Sequence, residues 1–211
     1  MIKAVLLDFW GTLVENGVYP SPVRQVRYLL RIQEPFSEFI PKFEESFMLK
    51  KHENLTVAFD DVCKAFNVNP PQFVKDKLVG MWNKNTILAK PFPETIEALE
   101  KLKKYKLALI CNTDPFSVEA VLDKFDLRKY FNSIILSYEV GCLKTDKKLY
   151  ETALKKLKVK KDEVIMVGDS METDVRGAEN AGIRPILIDR HGKREYKDKI
   201  SNLNELDNFL K

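Results

Sequence analysis

Helical and strand-like patterns alternate along the sequence from residue 92 onward, and this alternation constrains the fold more than any other feature. Apolar residues at spacings of three and four predict helices, whereas short apolar runs predict buried strands. The predicted helices span 94–103, 116–125, 147–157 and 173–181, and the predicted strands span 107–111, 133–136, 164–167 and 186–188. Strands joined by helices in this way pair in parallel, so the pattern predicts an α/β fold with a parallel sheet and crossover helices.

The N-terminal segment predicts one further strand with a carboxylate at its end. Residues 2–7 form a short, partly β-branched apolar run, which is followed by Asp8 and by the turn residue Gly11. Open α/β sheets bind their ligands at the carboxyl ends of the strands. A carboxylate at that position can act as a nucleophile or bind a metal, although an aspartate there can also simply cap the following turn.

Residues 14–90 follow an entirely helical pattern. Apolar and aromatic residues recur at helical spacing over 36–47, 57–66 and 73–82, which is typical of helix–helix packing. Because the first strand belongs with the strands that follow, we predict a core domain of residues 1–13 and 91–211 and an inserted all-helical cap domain of residues 14–90. A helical module inserted beside Asp8 is expected to cover the site as a lid.

The composition argues against several classes of function. The chain has 211 residues, a net charge of +4 and three scattered cysteines. Its positive residues are interleaved with acidic ones, which argues against nucleic-acid binding, and no apolar stretch approaches the roughly 18 residues of a membrane span. Few cysteines and no signal-peptide pattern favour the cytoplasm. We therefore expect a cytoplasmic protein that binds neither nucleic acid nor a membrane, and nothing in the sequence indicates an oligomeric state.

Further polar residues follow two of the other predicted strands. Asn112 and Asp114 lie after one strand, Asp169 and Asp174 lie after another, and Lys144 lies in a loop before a helix. Each of these residues has an ordinary explanation as a helix cap, a turn residue or a surface charge. Together with the N-terminal carboxylate, they would bring a nucleophile, an amide donor, a cation and further carboxylates to one edge of one sheet.

In order and spacing, these residues resemble the motifs of the haloacid dehalogenase-like hydrolase superfamily, and the resemblance covers essentially the whole chain. The four motifs of that family are matched, in chain order, by Asp8 to Thr12, by Cys111 and Asn112, by Lys144, and by Asp169 with Asp174. The helical insertion also lies where the family carries its cap domain. Motif order, motif spacing and cap position therefore agree.

The resemblance implies a Rossmann-like core, a helical cap and a reaction in two steps. Asp8 would attack the substrate and form a covalent aspartyl intermediate, while Lys144 would offset the negative charge of Asp8 and of the substrate. Mg²⁺ would be held by Asp8, Asp169 and the main-chain carbonyl of Trp10, with Asp174 assisting. The substrate-binding residues that the resemblance implies are Trp10, Thr12, Cys111, Asn112 and Tyr150.

Two positions depart from the pattern of the family's phosphatases. Trp10 stands where those enzymes carry a second aspartate, the general acid that protonates the leaving alcohol. General acid catalysis contributes about 10² to 10⁴ in rate and an indole cannot supply it, so weakened hydrolysis of alkyl phosphates is expected. Cys111 replaces the usual serine or threonine, and we interpret it as a small packing residue or, alternatively, as a reactive thiol of low pKa.

The same departures also fit the 2-haloacid dehalogenase branch of the family. A halide leaves without protonation, and those enzymes carry an aromatic residue at the position of Trp10 and a tyrosine that Tyr150 matches. However, they replace the first acid of the fourth motif with serine and carry an asparagine two places later, where this chain has Asp169 and Met171. The sequence thus combines a dehalogenase-like first motif with a phosphatase-like fourth motif.

Three functions agree with this combination. Mg²⁺-dependent hydrolysis of a small phosphorylated metabolite is favoured, and 2-haloacid dehalogenation is the main alternative. The third is a catalytically impaired site that binds a metabolite or a protein. The natural substrate is not predictable, because the cap residues that face the pocket cannot be chosen from helical stripes alone.

Overall fold

The computed structural model describes residues 1–210. It contains a parallel sheet with flanking helices and a separate group of helices. The strands are, in chain order, β1 Ala4–Leu7, β2 Val14–Glu15, β3 Lys90–Pro91, β4 Lys106–Cys111, β5 Ser133–Leu136, β6 Val164–Gly168, β7 Arg184–Ile188 and β8 Lys199–Ile200. The helices are α1 Pro22–Leu29, α2 Phe36–Met48, α3 Leu55–Ala65, α4 Gln72–Leu88, α5 Thr95–Leu102, α6 Ser117–Lys124, α7 Ser137–Val140, α8 Lys147–Leu157 and α9 Arg176–Asn180. Among residues 1–210, no helix combines the length and the hydropathy that crossing a membrane requires.

Six strands form one parallel sheet in the order β5-β4-β1-β6-β7-β8. The strand β1 lies at its centre, where Leu7 pairs with Leu109 of β4 on one side and with Val167 of β6 on the other. All four residues of β1 are fully buried, as expected for a central strand covered on both faces. The sheet and its crossover helices confirm the α/β, Rossmann-like fold that the sequence predicts.

Each face of the sheet is covered by its own helices, because successive side chains of a strand point to opposite faces. Leu7 packs on the face covered by α5 and α6, together with Leu99 and Val121. Leu6 packs on the opposite face, which α8 and α9 cover with residues that include Leu149. The core is therefore a sheet between two helical layers.

The helices α1 to α4 have a separate apolar core that is rich in aromatic side chains. Phe43, Phe47, Phe59 and Trp82 are buried in it, with ring centroids of neighbouring pairs 4.7 to 5.9 Å apart. The helical pattern predicted for this part of the sequence is confirmed. The assignment of residues 14–90 to a distinct cap domain stays a prediction.

The differences from the sequence prediction include two short strands and the start of one helix. β2 and β3 pair antiparallel through Val14 and Pro91, so the two connections to the helical layer lie side by side. The predicted helix over 173–181 begins instead as a π-helical turn, Met171–Val175, and becomes α-helical only in α9. The amides of Asp174 and Val175 both donate to the carbonyl of Ser170, which explains the wider first turn.

Candidate active site

Asp8 follows the central strand directly and lies at the carboxyl edge of the sheet. Its main-chain amide donates to the carbonyl of Val167 in the neighbouring strand, 2.9 Å away, which continues the sheet by one residue. The side chain is buried, with only 5% of the residue exposed. One carboxylate oxygen, Oδ2, accepts a hydrogen bond from Thr12 Oγ1 at 3.2 Å. Asp8 is thus fixed in orientation, with its other oxygen directed at a cation.

That cation is Lys144, which bridges two carboxylates. Its Nζ lies 2.5 Å from Asp8 Oδ1 and 2.5 Å from Asp174 Oδ1. Burial lowers the pKa of the Lys144 ammonium, but the charges of Asp174 and Asp8 outweigh burial and hold that pKa well above its ordinary value. Lys144 is therefore charged at neutral pH, and it ties the third motif to the first and the fourth.

Three carboxylates meet at this edge, since oxygen atoms of Asp8, Asp169 and Asp174 all lie within 4.8 Å of one another. Burial is the main cause that raises the pKa values of Asp8 and Asp169, and the negative charges of neighbouring aspartates raise them further. Lys144, and Arg194 near Asp169, balance only part of this charge. The donor set is all oxygen and is under-neutralised, which fits a hard divalent cation such as Mg²⁺.

Two glycines make room for these carboxylates. A Cβ on Gly11 would lie 2.5 Å from Asp169 Oδ2, and the φ of +79° at Gly11 also disfavours any other residue. A Cβ on Gly168 would lie 2.2 Å from Asp174 Cγ. The close approach of the acids thus disfavours a side chain at both glycines, and the positive φ disfavours one at Gly11 as well.

The second motif contributes Asn112, whose side-chain amide makes contacts in two directions. Its Oδ1 accepts from the main-chain amide of Lys144 at 2.8 Å, while its Nδ2 donates to Glu44 Oε2 at 2.9 Å. The neighbouring Cys111 is buried, and burial raises the pKa of its thiol well above the ordinary value. This agrees with Cys111 as a packing residue, and the alternative of a reactive thiol stays a prediction.

A cavity of about 250 Å³ lies between this edge of the sheet and the helices α1, α2 and α4. Trp10 lines it, half-buried, and packs edge-on against Phe9 with ring centroids 5.1 Å apart. The residues of α2 that line the cavity are spaced by four and share one helix face, namely Phe36, Ile40, Glu44 and Met48. The predicted residues Asp8, Cys111, Asn112, Lys144, Asp169 and Asp174 line the opposite wall.

Two predicted substrate contacts lie outside the lining of this cavity. Tyr150 is fully buried, and its hydroxyl donates to the carbonyl of Thr173 at 3.1 Å, which supports the turn that carries Asp174. Thr12 is also buried and donates to Asp8. Both side chains therefore hydrogen-bond to the parts of the chain that carry the charged residues and do not line the cavity.

Two groups at the site had no motif to reveal them. Glu44 on α2 reaches the second motif, and Trp82 on α4 donates through Nε1 to Asp114 Oδ2 at 3.0 Å. The only signal for Glu44 in the sequence is a charged residue four positions from Ile40 and from Met48, on the flank of an apolar stripe. That spacing could have suggested a side chain directed at the core.

Comparison with known proteins adds independent evidence. A family model described as haloacid dehalogenase-like hydrolase matches residues 2–182. A glyceraldehyde 3-phosphate phosphatase from Methanothermobacter thermautotrophicus is 26% identical over 98% of this chain and 94% of its own length. An (S)-2-haloacid dehalogenase 2 from a Pseudomonas species is 29% identical over 99% of this chain and 96% of its own. The crystal structure of a HAD phosphatase from Thermococcus onnurineus is 26% identical, with a TM-score of 0.65 over 99% of this chain and 98% of that one.

The fold and the site define a Rossmann-like α/β protein with a lysine and three carboxylates at the carboxyl edge of its sheet. The match over residues 2–182 then gives the family, and the chain belongs to the haloacid dehalogenase-like hydrolases. The resemblance found in the sequence motifs is thereby confirmed. Both phosphatases and a dehalogenase are among its relatives.

Proposed function

We propose that this enzyme hydrolyses a small phosphorylated metabolite with Mg²⁺ and through a covalent intermediate on Asp8. The observation that carries the proposal is the retention of Asp169 beside Asp8 and Asp174, with Lys144 balancing only part of their charge. A site for metal-free halide displacement has no use for that many acids. The glyceraldehyde 3-phosphate phosphatases among the relatives support a small phosphorylated substrate.

The oxygen-rich edge of the sheet suits Mg²⁺. We propose that Asp8, Asp169 and the main-chain carbonyl of Trp10 would hold the ion, with Asp174 assisting. Bound there, Mg²⁺ would offset the charge that accumulates when a phosphate meets several carboxylates. We also propose a cytoplasmic location, on the sequence argument from the few scattered cysteines.

The residues of the chain divide the reaction between them. An oxygen of Asp8 attacks phosphorus, the bond from phosphorus to the leaving oxygen breaks, and its electron pair goes to that oxygen. Lys144 stays charged beside Asp8 and stabilises the negative charge of the phosphoryl group, which Asn112 can also contact through an N–H. Water then attacks the aspartyl phosphate, releases phosphate and restores Asp8.

The second candidate is 2-haloacid dehalogenation, which one observation favours. Trp10 lines the cavity at the position of the missing acid, and a halide leaving group needs no acid. The similarity to the (S)-2-haloacid dehalogenase points the same way. Against it, a haloacid carboxylate would enter a cavity already lined by Asp8, Asp169 and Asp174, where like charges repel it.

One assay separates these functions. The protein is incubated with an aryl phosphate or with 2-chloropropionate, each with Mg²⁺ and with EDTA, and the release of phosphate and of chloride is measured. Phosphate release that requires Mg²⁺ supports the proposal. Chloride release that is indifferent to EDTA would establish the dehalogenase instead, and binding of both compounds without turnover of either would indicate an impaired site.

A further inference from the structure

The proposed phosphatase lacks a proton donor at the place where its family carries one. Trp10 occupies that position, and the N–H of an indole is far too weak an acid to protonate a leaving alkoxide. Alkyl phosphates need such a donor, because an alkoxide is a poor leaving group. Any replacement must line the same cavity as Asp8 and must keep a carboxyl oxygen that accepts no hydrogen bond from the protein.

Most acids that line the cavity are engaged. Asp8 and Asp174 are bonded to Lys144, and Asp169 belongs to the same cluster. Asp114 accepts four hydrogen bonds, two on each carboxylate oxygen, donated by Trp82 Nε1, Phe116 N, Ser117 N and Ser117 Oγ. The remaining carboxyl group among the acids that line the cavity is that of Glu44.

Glu44 lines the same cavity as Asp8 and reaches the second motif from α2. It lies on α2, across the cavity from the edge of the sheet, and its Oε2 is held by Asn112 Nδ2 at 2.9 Å. No donor among residues 1–210 reaches its other oxygen, Oε1, within hydrogen-bond distance. In an in-line displacement the leaving oxygen departs on the side away from the nucleophile, and α2 lines the same cavity as Asp8, so a substrate held there lies within the space that Glu44 borders.

The surroundings of Glu44 also suit a proton donor. Burial raises the pKa of Glu44 to about 7, with Lys144 lowering that pKa and Asp174 and Asp8 raising it. A carboxyl group with a pKa near neutrality carries a proton in part of the molecules and can still give it up, which is the balance that general acid catalysis needs.

We propose that Glu44 is the general acid of this enzyme and protonates the leaving oxygen in place of the residue that Trp10 replaces. As the ester bond breaks, the carboxyl proton of Glu44 moves to the leaving oxygen and yields a neutral alcohol and a Glu44 carboxylate. In the second step that carboxylate takes a proton from the attacking water, which restores the acid. Asn112 has two N–H bonds, so one can hold Glu44 while the other holds a phosphoryl oxygen.

This inference rests on the proposed function, and the substitution Glu44→Gln tests it. Glutamine keeps the shape and can accept from Asn112, but it cannot transfer a proton. We expect turnover of an alkyl phosphate to fall by about 10² or more, while turnover of an aryl phosphate, whose leaving group needs no proton, changes by less than a few-fold. The matched control is Glu45→Gln, because Glu45 is the exposed neighbour on the same helix and should leave both rates unchanged.

The outcomes are distinguishable. If the wild-type enzyme releases phosphate from neither substrate, the proposed function fails and this inference fails with it. If the wild type is active and Glu44→Gln lowers both rates equally or neither, only the role of Glu44 is overturned. Adding Trp10→Asp to Glu44→Gln gives a second check that does not depend on a single variant, since a carboxyl group at the usual position should restore alkyl phosphate turnover selectively. The aryl phosphate rate of the double variant shows whether it is folded. If a folded double variant does not regain alkyl phosphate turnover, the loss in Glu44→Gln is not due to a missing proton donor.

Discussion

Replacing Lys144 with methionine is expected to destabilise the metal-free protein strongly. The ammonium of Lys144 lies 2.5 Å from both Asp8 and Asp174, and its side chain is only 4% exposed. Removing one partner from a buried ion pair costs about 3–5 kcal/mol, because the remaining charges stay buried without a counter-charge. Methionine keeps the length and the apolar stem of lysine, so the loss should come from the charge. We therefore expect the free energy of unfolding to fall by about 3–5 kcal/mol at neutral pH in EDTA.

The assay is denaturant unfolding of Lys144→Met beside Lys147→Met, which removes an exposed lysine three residues further along the chain. The control should change stability by less than about 0.5 kcal/mol. Mg²⁺ at roughly 100 times its dissociation constant should return about 2.7 kcal/mol to Lys144→Met, since a cation bound to the acids replaces part of the lost charge. Equal stability of the two variants in EDTA would refute the argument that Lys144 neutralises the buried carboxylates.

Three further outcomes follow from the same cluster. Asp8→Asn should abolish turnover and leave the fold intact. The control Asp162→Asn, at an exposed position, should change neither the turnover nor the fold. Near-normal activity of Asp8→Asn, with deamidation excluded, would show that Asp8 is not the nucleophile. Asp169→Ala should weaken Mg²⁺ binding in a calorimetric titration, and an unchanged affinity would separate the fourth motif from the metal. Burial raises the pKa of Asp8 from 3.8 to about 6 and that of Asp169 from 3.8 to about 7. Between pH 3.8 and about 7 the folded protein therefore binds more protons than the unfolded chain. The metal-free protein should therefore lose stability as the pH rises through that range. A stability that increases there in EDTA would contradict the raised pKa values of Asp8 and Asp169.

The sheet and most of the charged cluster were predictable from sequence because they depend on local patterns. Each strand is a short apolar run, and parallel strands bring their carboxyl ends to one edge. Asp8, Asn112 and Asp169 each follow such a run, so their convergence needed no knowledge of packing. The two-residue strands β2, β3 and β8 carry no periodicity that could have predicted them.

The contacts between the layers were not predictable in the same way. Glu44 is 68 residues away from Asn112 in the sequence, and their contact depends on how α2 is rotated and placed over the edge of the sheet. For Tyr150 the family resemblance suggested a substrate contact, whereas the fold buries its hydroxyl against the Thr173 carbonyl. Motifs identify the residues that perform chemistry, but which side chains face the cavity is fixed by tertiary packing.

The most direct test of the central claim is to trap the covalent intermediate on Asp8. Enzyme turning over an aryl phosphate with labelled phosphorus is quenched in acid, digested, and its peptides are analysed by mass spectrometry. We predict phosphate on the peptide that contains Asp8, in a hydroxylamine-sensitive linkage, when Mg²⁺ is present, and none in EDTA or in Asp8→Asn. Phosphate release without any label on that peptide, in enzyme quenched while formation of the intermediate outpaces its hydrolysis, would contradict the account.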